Sequence, residues 1–252
     1  MAFTGVGVAL TTLFDERLAV DVAATVDHAV RMSEAGMVAI VAAGTTGEAA
    51  ALTPEERMAL VTAIRNAVPA EVLVVAGTGS ASAYGSVALT RQAVAAGADA
   101  VLTLSPPGTP DVRPYYSAVV QAAGDTPVLA YHFPNASAPG IPLGALDGIP
   151  VAGIKDSSGD PNRLLEHLSR WDLPVYVGNS SLLSLAGPLG ATGAILSAAN
   201  ADPETCIAAF AGDAAAQLAL ADVHAATKRR LAEGIKLEMQ RRFGTPTHSR
   251  IR

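Results

Sequence analysis

The sequence contains few of the residues that stabilise small secreted proteins or bind nucleic acids. Its single cysteine, Cys206, cannot form a disulfide within the chain, and its apolar neighbours indicate packing in a core rather than catalysis. The 17 basic and 23 acidic residues are interspersed, so there is no basic stripe to neutralise a phosphate backbone, and we expect no nucleic-acid partner. No group of His, Cys, Asp or Glu has the spacing of metal ligands, and we expect no metal.

Long apolar runs are also missing. No stretch reaches the roughly 20 uninterrupted apolar residues of a membrane span, and the first residues lack the basic region of a signal peptide. We therefore expect a cytoplasmic protein without membrane contact. Half of the 252 residues are nevertheless apolar, which is enough for the core of one large α/β barrel.

Short apolar segments alternate with amphipathic segments along the first two hundred residues. Helix starts are predicted at Asp21, at Thr53-Pro54 with Glu56 closing a capping box, at Asp160 and at Asp202. Eight segments have the length and composition of strands: 5–14, 37–43, 72–76, 100–104, 127–131, 151–155, 175–178 and 193–197. Eight strands alternating with eight helical segments predict a (β/α)₈ TIM barrel over residues 1–211.

The alternative to the barrel is an open, doubly wound parallel sheet, but its dinucleotide-binding fingerprint is missing. Gly77-Thr78-Gly79 lacks a third glycine at the required spacing. Residues 212–252 form a C-terminal helical extension in this prediction, with one long Ala- and Leu-rich helix from Asp213 to Arg242. The apolar stripe of that helix should pack against the barrel or against a second subunit.

Lys155 is the first candidate for chemistry, because it ends a buried apolar strand and active sites of such barrels lie at the carboxyl ends of the strands. A partly desolvated ammonium has a depressed pKa and becomes an amine that can form a Schiff base with a carbonyl substrate. The alternative is a lysine that reaches solvent or pairs with Asp156. Tyr131 ends the neighbouring strand, so its phenol should face the same volume and exchange protons with the amine.

Further candidates follow the other strands. The glycine-flanked Thr45-Thr46 pair can turn backbone N–H groups toward a carboxylate or a phosphate, although an ordinary turn would have the same composition. We expect Glu48 to fix this loop by hydrogen bonds and His132 to have a packing role on the opposite face of its strand. The remaining candidates for substrate binding are Gly44, Ala136, Gly178, Asn179, Ser180 and Ser197.

Three stretches, in this order, resemble the signature motifs of the dihydrodipicolinate synthase and N-acetylneuraminate lyase family. They are Gly44-Thr45-Thr46-Gly47-Glu48, Tyr131-His132-Phe133-Pro134 and Gly153-Ile154-Lys155-Asp156-Ser157-Ser158-Gly159. The resemblance spans nearly the whole chain. It implies a homotetrameric class I aldolase that needs no cofactor, because pyruvate, or a 2-oxo acid that yields pyruvate, forms a covalent Schiff base on Lys155. It further implies that Tyr131 shuttles protons, that the Thr45 hydroxyl extends the relay, and that the N–H groups of Thr45 and Thr46 hold the carboxylate.

Two departures from the family pattern bear on the substrate. Pro107-Gly108 stands where the synthases carry a relay tyrosine, and Ala136 stands where they carry an arginine for the carboxylate of aspartate semialdehyde. We therefore expect another aldehyde partner, and hence a lyase acting on a hydroxy-oxo acid or a 2-keto-3-deoxy sugar acid. Dihydrodipicolinate synthase itself, a barrel that binds a 2-oxo acid without turnover, and a phosphate-binding barrel remain the alternatives. The chain also ends at Arg252, earlier than the last helix of the family, which fits a truncated extension.

Overall fold

The eight predicted strands close into a barrel. The computed structural model describes residues 3–109 and 111–251, and in this part of the chain every strand is parallel to its neighbours in sequential order. The strands are β1 Gly5–Ala9, β2 Ala39–Ala42, β3 Leu73–Gly77, β4 Ala100–Leu104, β5 Val128–His132, β6 Gly153–Asp156, β7 Val175–Val177 and β8 Gly193–Leu196. The predicted (β/α)₈ barrel with a helical tail is therefore confirmed, while the division of the chain at residue 211 stays a prediction.

Helices begin directly after Asp21, Thr53, Asp160 and Asp202, as predicted. Thr53 and Glu56 form the capping box: the Thr53 hydroxyl accepts from the Glu56 N–H and the Glu56 carboxylate accepts from the Thr53 N–H. The helices are α1 Val22–Glu34, α2 Pro54–Ala67, α3 Ala83–Ala95, α4 Arg113–Ala123, α5 Pro161–Arg170, α6 Leu183–Ala186, α7 Pro203–Phe210, α8 Ala214–Ala219, α9 Ala221–Arg229 and α10 Leu231–Phe243. None of the helices in the described ranges is long and apolar enough to cross a bilayer.

The structure corrects three sequence-based expectations. Strand β1 ends at Ala9 rather than at residue 14, and the predicted long tail helix is divided into α8, α9 and α10 at Leu220 and Arg230. Residues 133–152, all of which are described, contain turns and no helix. One α-helix therefore follows every strand except β5, which gives seven helices, α1 to α7, instead of the predicted eight. Four prolines and three glycines in these 20 residues explain the missing helix: Pro134, Pro139, Pro142, Pro150, Gly140, Gly144 and Gly148.

The barrel interior is filled at its amino-terminal end and open at its carboxyl-terminal end. Phe3 lies under the barrel against Tyr176, with the ring centroids 4.6 Å apart, and the Tyr176 hydroxyl donates to the Phe3 carbonyl over 2.8 Å. Above this plug, small and apolar residues of the strands form the inner core, including Val41, Val75 and Leu129. The opposite faces of the strands pack against the helices, together with the buried Cys206, as expected. This packing leaves the strand ends after β2, β4, β5 and β6 to form a site.

Candidate active site

Lys155 lies in the barrel interior beside Tyr131. The two residues are register partners on β6 and β5, and Nζ of Lys155 is 4.4 Å from the centroid of the Tyr131 ring. Lys155 is 4% exposed and has no ion-pair partner within residues 3–109 and 111–251. Burial without a counter-charge lowers the pKa of Lys155 to about 7, so a large share of the amine is neutral near neutral pH.

Gly178 on the neighbouring strand end makes room for this lysine. A Cβ atom at Gly178 would overlap the Ser157 hydroxyl and lie only 2.9 Å from Cε of Lys155. Any larger residue would therefore displace Lys155 or Ser157. The predicted involvement of Gly178 thus has a steric basis, because it leaves space where a side chain would block the amine.

Three hydroxyl groups form a row next to the amine. The hydroxyls of Ser157 and Thr45 lie close enough to the Tyr131 phenol to influence its pKa. Burial raises the pKa of Tyr131 and these two hydroxyls oppose the rise, so the phenol keeps its proton at neutral pH. Ser157 was absent from the predicted site residues, although strand alternation could have identified it, since it lies two residues after Lys155 and faces the same side.

The loop that carries Thr45 and Thr46 is held in an unusual backbone conformation. Ala43 (φ 52°) and Glu48 (φ 56°) lie on either side of it, and both are non-glycine residues in the left-handed region, which is uncommon outside functional sites. The Thr12 hydroxyl donates to the Gly47 carbonyl over 2.7 Å. Within the described residues, the backbone N–H groups of Thr45 and Thr46 donate to no protein acceptor. Two such donors at a barrel mouth can bind a carboxylate.

A cavity of about 500 Å³ opens above this row of hydroxyls. The loops after β2, β3, β4 and β5 line it, and it brings together four of the predicted residues: Gly44, Thr45, Tyr131 and Ala136. Pro107 also lines the cavity, and Gly108 beside it has a φ of 73°, so the strand 4 loop offers no phenol here. The cavity is large enough for a pyruvate adduct and a second small substrate.

Arg57 is the one charged residue among the described residues that line the cavity. Its guanidinium enters from α2 and donates to the carbonyls of Gly79 (3.1 Å) and Ala49 (2.5 Å), while Nε has no acceptor among the described residues. No described carboxylate forms an ion pair with Arg57. A search of the residues that directly follow each strand does not find this position, because α2 begins well after the end of β2. The cavity therefore has a positive charge that its own lining does not compensate.

The other predicted residues lie at the same end of the barrel but do not line this cavity. The Asn179 side chain accepts from the Ser181 N–H, and the Ser180 hydroxyl lies 2.9 Å from Nδ1 of His224 in α9. Thr46 is buried in its loop. The Ser197 hydroxyl is buried and has no hydrogen-bond partner in the described part of the chain. Their contact with a substrate stays a prediction.

Glu48 fixes the loop, as expected, but it does so through the end of the chain. Its fully buried carboxylate accepts from Nζ of Lys236 over 2.5 Å and from the backbone N–H groups of Arg250 and Ile251 over 2.8 and 2.9 Å. The Ser249 hydroxyl donates to the same carboxylate over 3.0 Å. Residues 245–251, called the closing segment below, are thereby attached to the loop that carries Thr45.

The outward faces of β5 and β6 are fixed by polar contacts. Nδ1 of His132 accepts from the Ile141 N–H over 2.9 Å, and burial lowers the pKa of His132 to about 4, so this histidine is a neutral packing residue, as expected. Asp156 forms an ion pair with Nε of Arg163 over 2.7 Å. The ion pair directs Asp156 away from Lys155 and holds the strand that positions the amine.

Known proteins resemble this chain in sequence and in fold. Residues 2–243 match the Dihydrodipicolinate synthetase family. An uncharacterised DapA-like lyase of Halobacterium salinarum is 34% identical over 82% of this chain and 70% of its own length, and the 4-hydroxy-tetrahydrodipicolinate synthase of Natronomonas pharaonis is 33% identical over 82% and 73%. Among solved structures, the chloride-inhibited dihydrodipicolinate synthase of Acinetobacter baumannii complexed with pyruvate has a TM-score of 0.90 and 27% identity, covering 100% of this chain and 92% of that one.

Proposed function

The chain belongs to the dihydrodipicolinate synthetase family of lyases, and on this basis we propose that it is a Schiff-base-forming aldolase that joins pyruvate to an aldehyde or releases pyruvate from the product. The observation that carries the proposal is the buried Lys155, whose pKa is lowered to about 7 next to the Tyr131 phenol. Such an amine is nucleophilic at neutral pH, and the neighbouring phenol can supply and accept protons.

The reaction begins when the neutral Lys155 amine attacks the carbonyl carbon of pyruvate. Tyr131 protonates the departing hydroxyl, water leaves, and an iminium ion remains. The Tyr131 phenolate then takes a methyl proton and becomes a phenol again, and the iminium accepts the electron pair of the broken C–H bond to give an enamine. The enamine carbon attacks the aldehyde, the new alkoxide takes a proton from the Tyr131, Thr45 and Ser157 row, and hydrolysis of the iminium releases the product and Lys155.

The Thr45 and Thr46 N–H groups have the role of holding the pyruvate carboxylate in this proposal. Their lack of a protein acceptor among the described residues supports it. A fixed carboxylate presents the methyl carbon to the cavity, where an aldehyde meets it in a defined orientation. Asn179, Ser180 and Ser197 do not line the cavity itself, but their polar side chains at the same end of the barrel suit a hydroxylated aldehyde that extends toward them.

The aldehyde partner in this proposal derives from a hydroxy-oxo acid or a 2-keto-3-deoxy sugar acid. Ala136 lines the cavity and has no donor for the carboxylate of aspartate semialdehyde. The second candidate is 4-hydroxy-tetrahydrodipicolinate synthase activity, the name of several relatives. One observation favours it: Arg57 brings an uncompensated guanidinium to the same cavity from α2, which could bind an anionic partner.

Trapping with pyruvate and sodium cyanoborohydride tests the chemistry directly. We expect one reduced pyruvate adduct per chain, mapped by peptide mass spectrometry to Lys155. Lys155→Arg should prevent it, since arginine keeps its proton, whereas the matched change Lys228→Arg at an exposed lysine should leave it. No adduct on the wild-type protein, or an adduct on another residue, would refute the proposal.

A pyruvate-release screen then identifies the partner. It includes 2-oxo-3-deoxy sugar acids, 4-hydroxy-2-oxoglutarate and N-acetylneuraminate, and it runs beside condensation with aspartate semialdehyde. Release from an acid of the first two classes supports the hydroxy-oxo or sugar-acid aldolase, and condensation with aspartate semialdehyde alone supports the second candidate. An adduct at Lys155 without turnover of any of these compounds would indicate a binding protein instead.

We also propose that the protein assembles as a homotetramer built as a dimer of dimers, as the resemblance implies. The exposed apolar side chains of Leu218 on α8 (77%) and Leu237 on α10 (43%) support contacts of the tail with another copy. Multi-angle light scattering at micromolar concentration measures the mass, and a monomer would contradict this assembly.

A further inference from the structure

The closing segment forms one wall of the cavity above Tyr131. Ile251 lines this cavity of about 500 Å³ and also a second cavity of about 680 Å³, and Thr45 lines both. The Ile251 side chain is 46% exposed, which is expected of a residue with open space on either side. A residue more than two hundred positions away in the sequence therefore lies close to the loop that carries the proposed carboxylate donors.

Two carboxylates hold the closing segment in this position. Glu48 accepts hydrogen bonds from the backbone N–H groups of Arg250 and Ile251, as described above. The Glu56 carboxylate accepts hydrogen bonds from Nη1 and Nη2 of Arg250 over 2.8 and 2.7 Å. The Arg250 guanidinium also donates to the Leu18 carbonyl over 2.8 Å. A bidentate arginine pair has a strict geometry, so these contacts fix the direction of the segment as well as its distance.

The buried pair between Glu48 and Lys236 adds a further constraint. Both side chains are fully buried, and a carboxylate in this environment needs all of its hydrogen bonds to compensate for lost hydration. The closing segment provides three of them, from Ser249, Arg250 and Ile251. Displacing the segment would therefore leave a buried carboxylate poorly solvated, which keeps Ile251 in place when substrate binds.

From this arrangement we propose that Ile251 is a specificity-determining residue that limits the size of the aldehyde partner, and that Arg250 is the positioning residue that holds it. The inference rests on the proposed function, because it assumes that the partner occupies the cavity above Tyr131. Ile251 has no polar side-chain atom, so it selects by volume. Apolar walls discriminate between substrates that differ by a methylene group by at least about tenfold.

The test compares two 2-oxo acids that form the same bond to Lys155 but differ in length. Pyruvate ends at the reacting methyl group, whereas the alkyl chain of 2-oxohexanoate must extend into the cavity. For each protein, the concentration that gives half of the maximal cyanoborohydride adduct at Lys155 is measured, and the value for 2-oxohexanoate is divided by that for pyruvate. This ratio cancels changes in the amine itself.

We expect Ile251→Ala to lower the ratio about tenfold and Ile251→Trp to raise it by a similar factor, the lower limit for a methylene-sized change in an apolar pocket. Arg250→Ala should also lower the ratio, because the wall loses its fixed position. Leu165→Ala is the matched control, because this apolar residue of α5 is exposed to nearly the same extent as Ile251 and lines neither cavity, and it should keep the wild-type ratio.

The outcomes separate the two proposals. Absence of a pyruvate adduct on the wild-type protein would refute the aldolase function. Normal adducts with an unchanged ratio in both Ile251 variants would refute the role of Ile251 alone, and so would a higher ratio in Ile251→Ala, which would make the side chain a binding surface rather than a limit. An unchanged ratio in Arg250→Ala beside altered ratios in the Ile251 variants would remove Arg250 from the proposal.

Discussion

The lowered pKa of Lys155 predicts a pH profile that an ordinary lysine cannot produce. With a pKa of about 7, roughly one half of the amine is neutral at pH 7, about one tenth at pH 6 and about one hundredth at pH 5. A lysine with the ordinary pKa of 10.5 would be neutral in only about one molecule in three thousand at pH 7. In the proposed reaction only the neutral amine attacks pyruvate, so the rate should follow these fractions.

Exchange of the pyruvate methyl protons for deuterium measures this step without an aldehyde partner. The enamine forms and reverts, and proton NMR follows the loss of the methyl signal in deuterated buffer. We expect kcat/KM to fall about tenfold per pH unit below pH 7 and to level off above it, because kcat/KM reports ionisations of the free enzyme. Burial raises the pKa of Tyr131, so no second decline should appear below about pH 10.

The refuting result is a rate that still rises about tenfold per unit between pH 8 and pH 10. Such a profile would mean that the amine keeps an ordinary pKa and that burial does not desolvate it. Lys155→Arg serves as the blank for exchange catalysed by other groups. If the rate becomes constant at a pH between 7 and 10, the midpoint of the rise gives the pKa of Lys155, which can be compared with the value of about 7.

Three further predictions follow from the same contacts. Because the pKa of Lys155 is lower in the folded state, the unfolded chain binds one more proton between about pH 7 and 10.5, and Lys155 therefore destabilises the fold less as the pH rises. At pH 6 the buried ammonium is charged, so Lys155→Met should raise the free energy of urea unfolding by about 1 to 3 kcal/mol. A loss of stability in this variant would contradict the prediction. Tyr131→Phe removes the proton carrier and should slow turnover by about 10²-fold or more, whereas a wild-type rate would assign the proton to another group. Glu48→Ala leaves the buried Lys236 ammonium without its carboxylate and should lower the free energy of urea unfolding by about 3 to 5 kcal/mol. The control Glu55→Ala, at an exposed position, should change it by no more than about 1 kcal/mol. Equal effects of the two variants would contradict a buried ion pair.

The barrel could be predicted from the sequence because its signals are local. Apolar segments of strand length repeat eight times, and Thr53, Glu56 and Asp160 mark helix starts by hydrogen bonds to residues a few positions away. Lys155 and Tyr131 could be placed together because neighbouring parallel strands bring their carboxyl ends to one side of the barrel. These inferences need no knowledge of the tertiary packing beyond the strand order.

The helical tail could be predicted, but the breaks within it could not, because its helix propensity is continuous. Ala and Leu favour one long helix across residues 213–242, but α10 packs directly against α9 after the break at Arg230. Gly234 permits this approach, since a Cβ atom there would overlap the carbonyl oxygen of Ala226. One glycine in a helical stretch is a weak signal by itself, so the break is a consequence of packing between helices.

Two residues that line the cavity could not be predicted by examining the residues that directly follow each strand. Arg57 comes from the first turn of α2 and Ile251 from the closing segment, and neither directly follows a strand. Their positions depend on where α2 and residues 245–251 lie relative to the barrel mouth. The side chains proposed to touch the reacting bond were therefore easier to place from the sequence than those proposed to select the substrate.

The turns between β5 and β6 should unfold locally in a different way from the helices around the barrel. The backbone hydrogen bonds of a helix break cooperatively. Residues 133–152 are instead held by separate hydrogen bonds, such as those from the Trp171 indole to Asp147 and from the Arg163 guanidinium to the Ile141 carbonyl. Amide hydrogens in this segment should therefore exchange through small local openings at lower free energy than those in α2 or α4. The connection between the two strands that carry Tyr131 and Lys155 should therefore open without the cooperative unfolding of a helix.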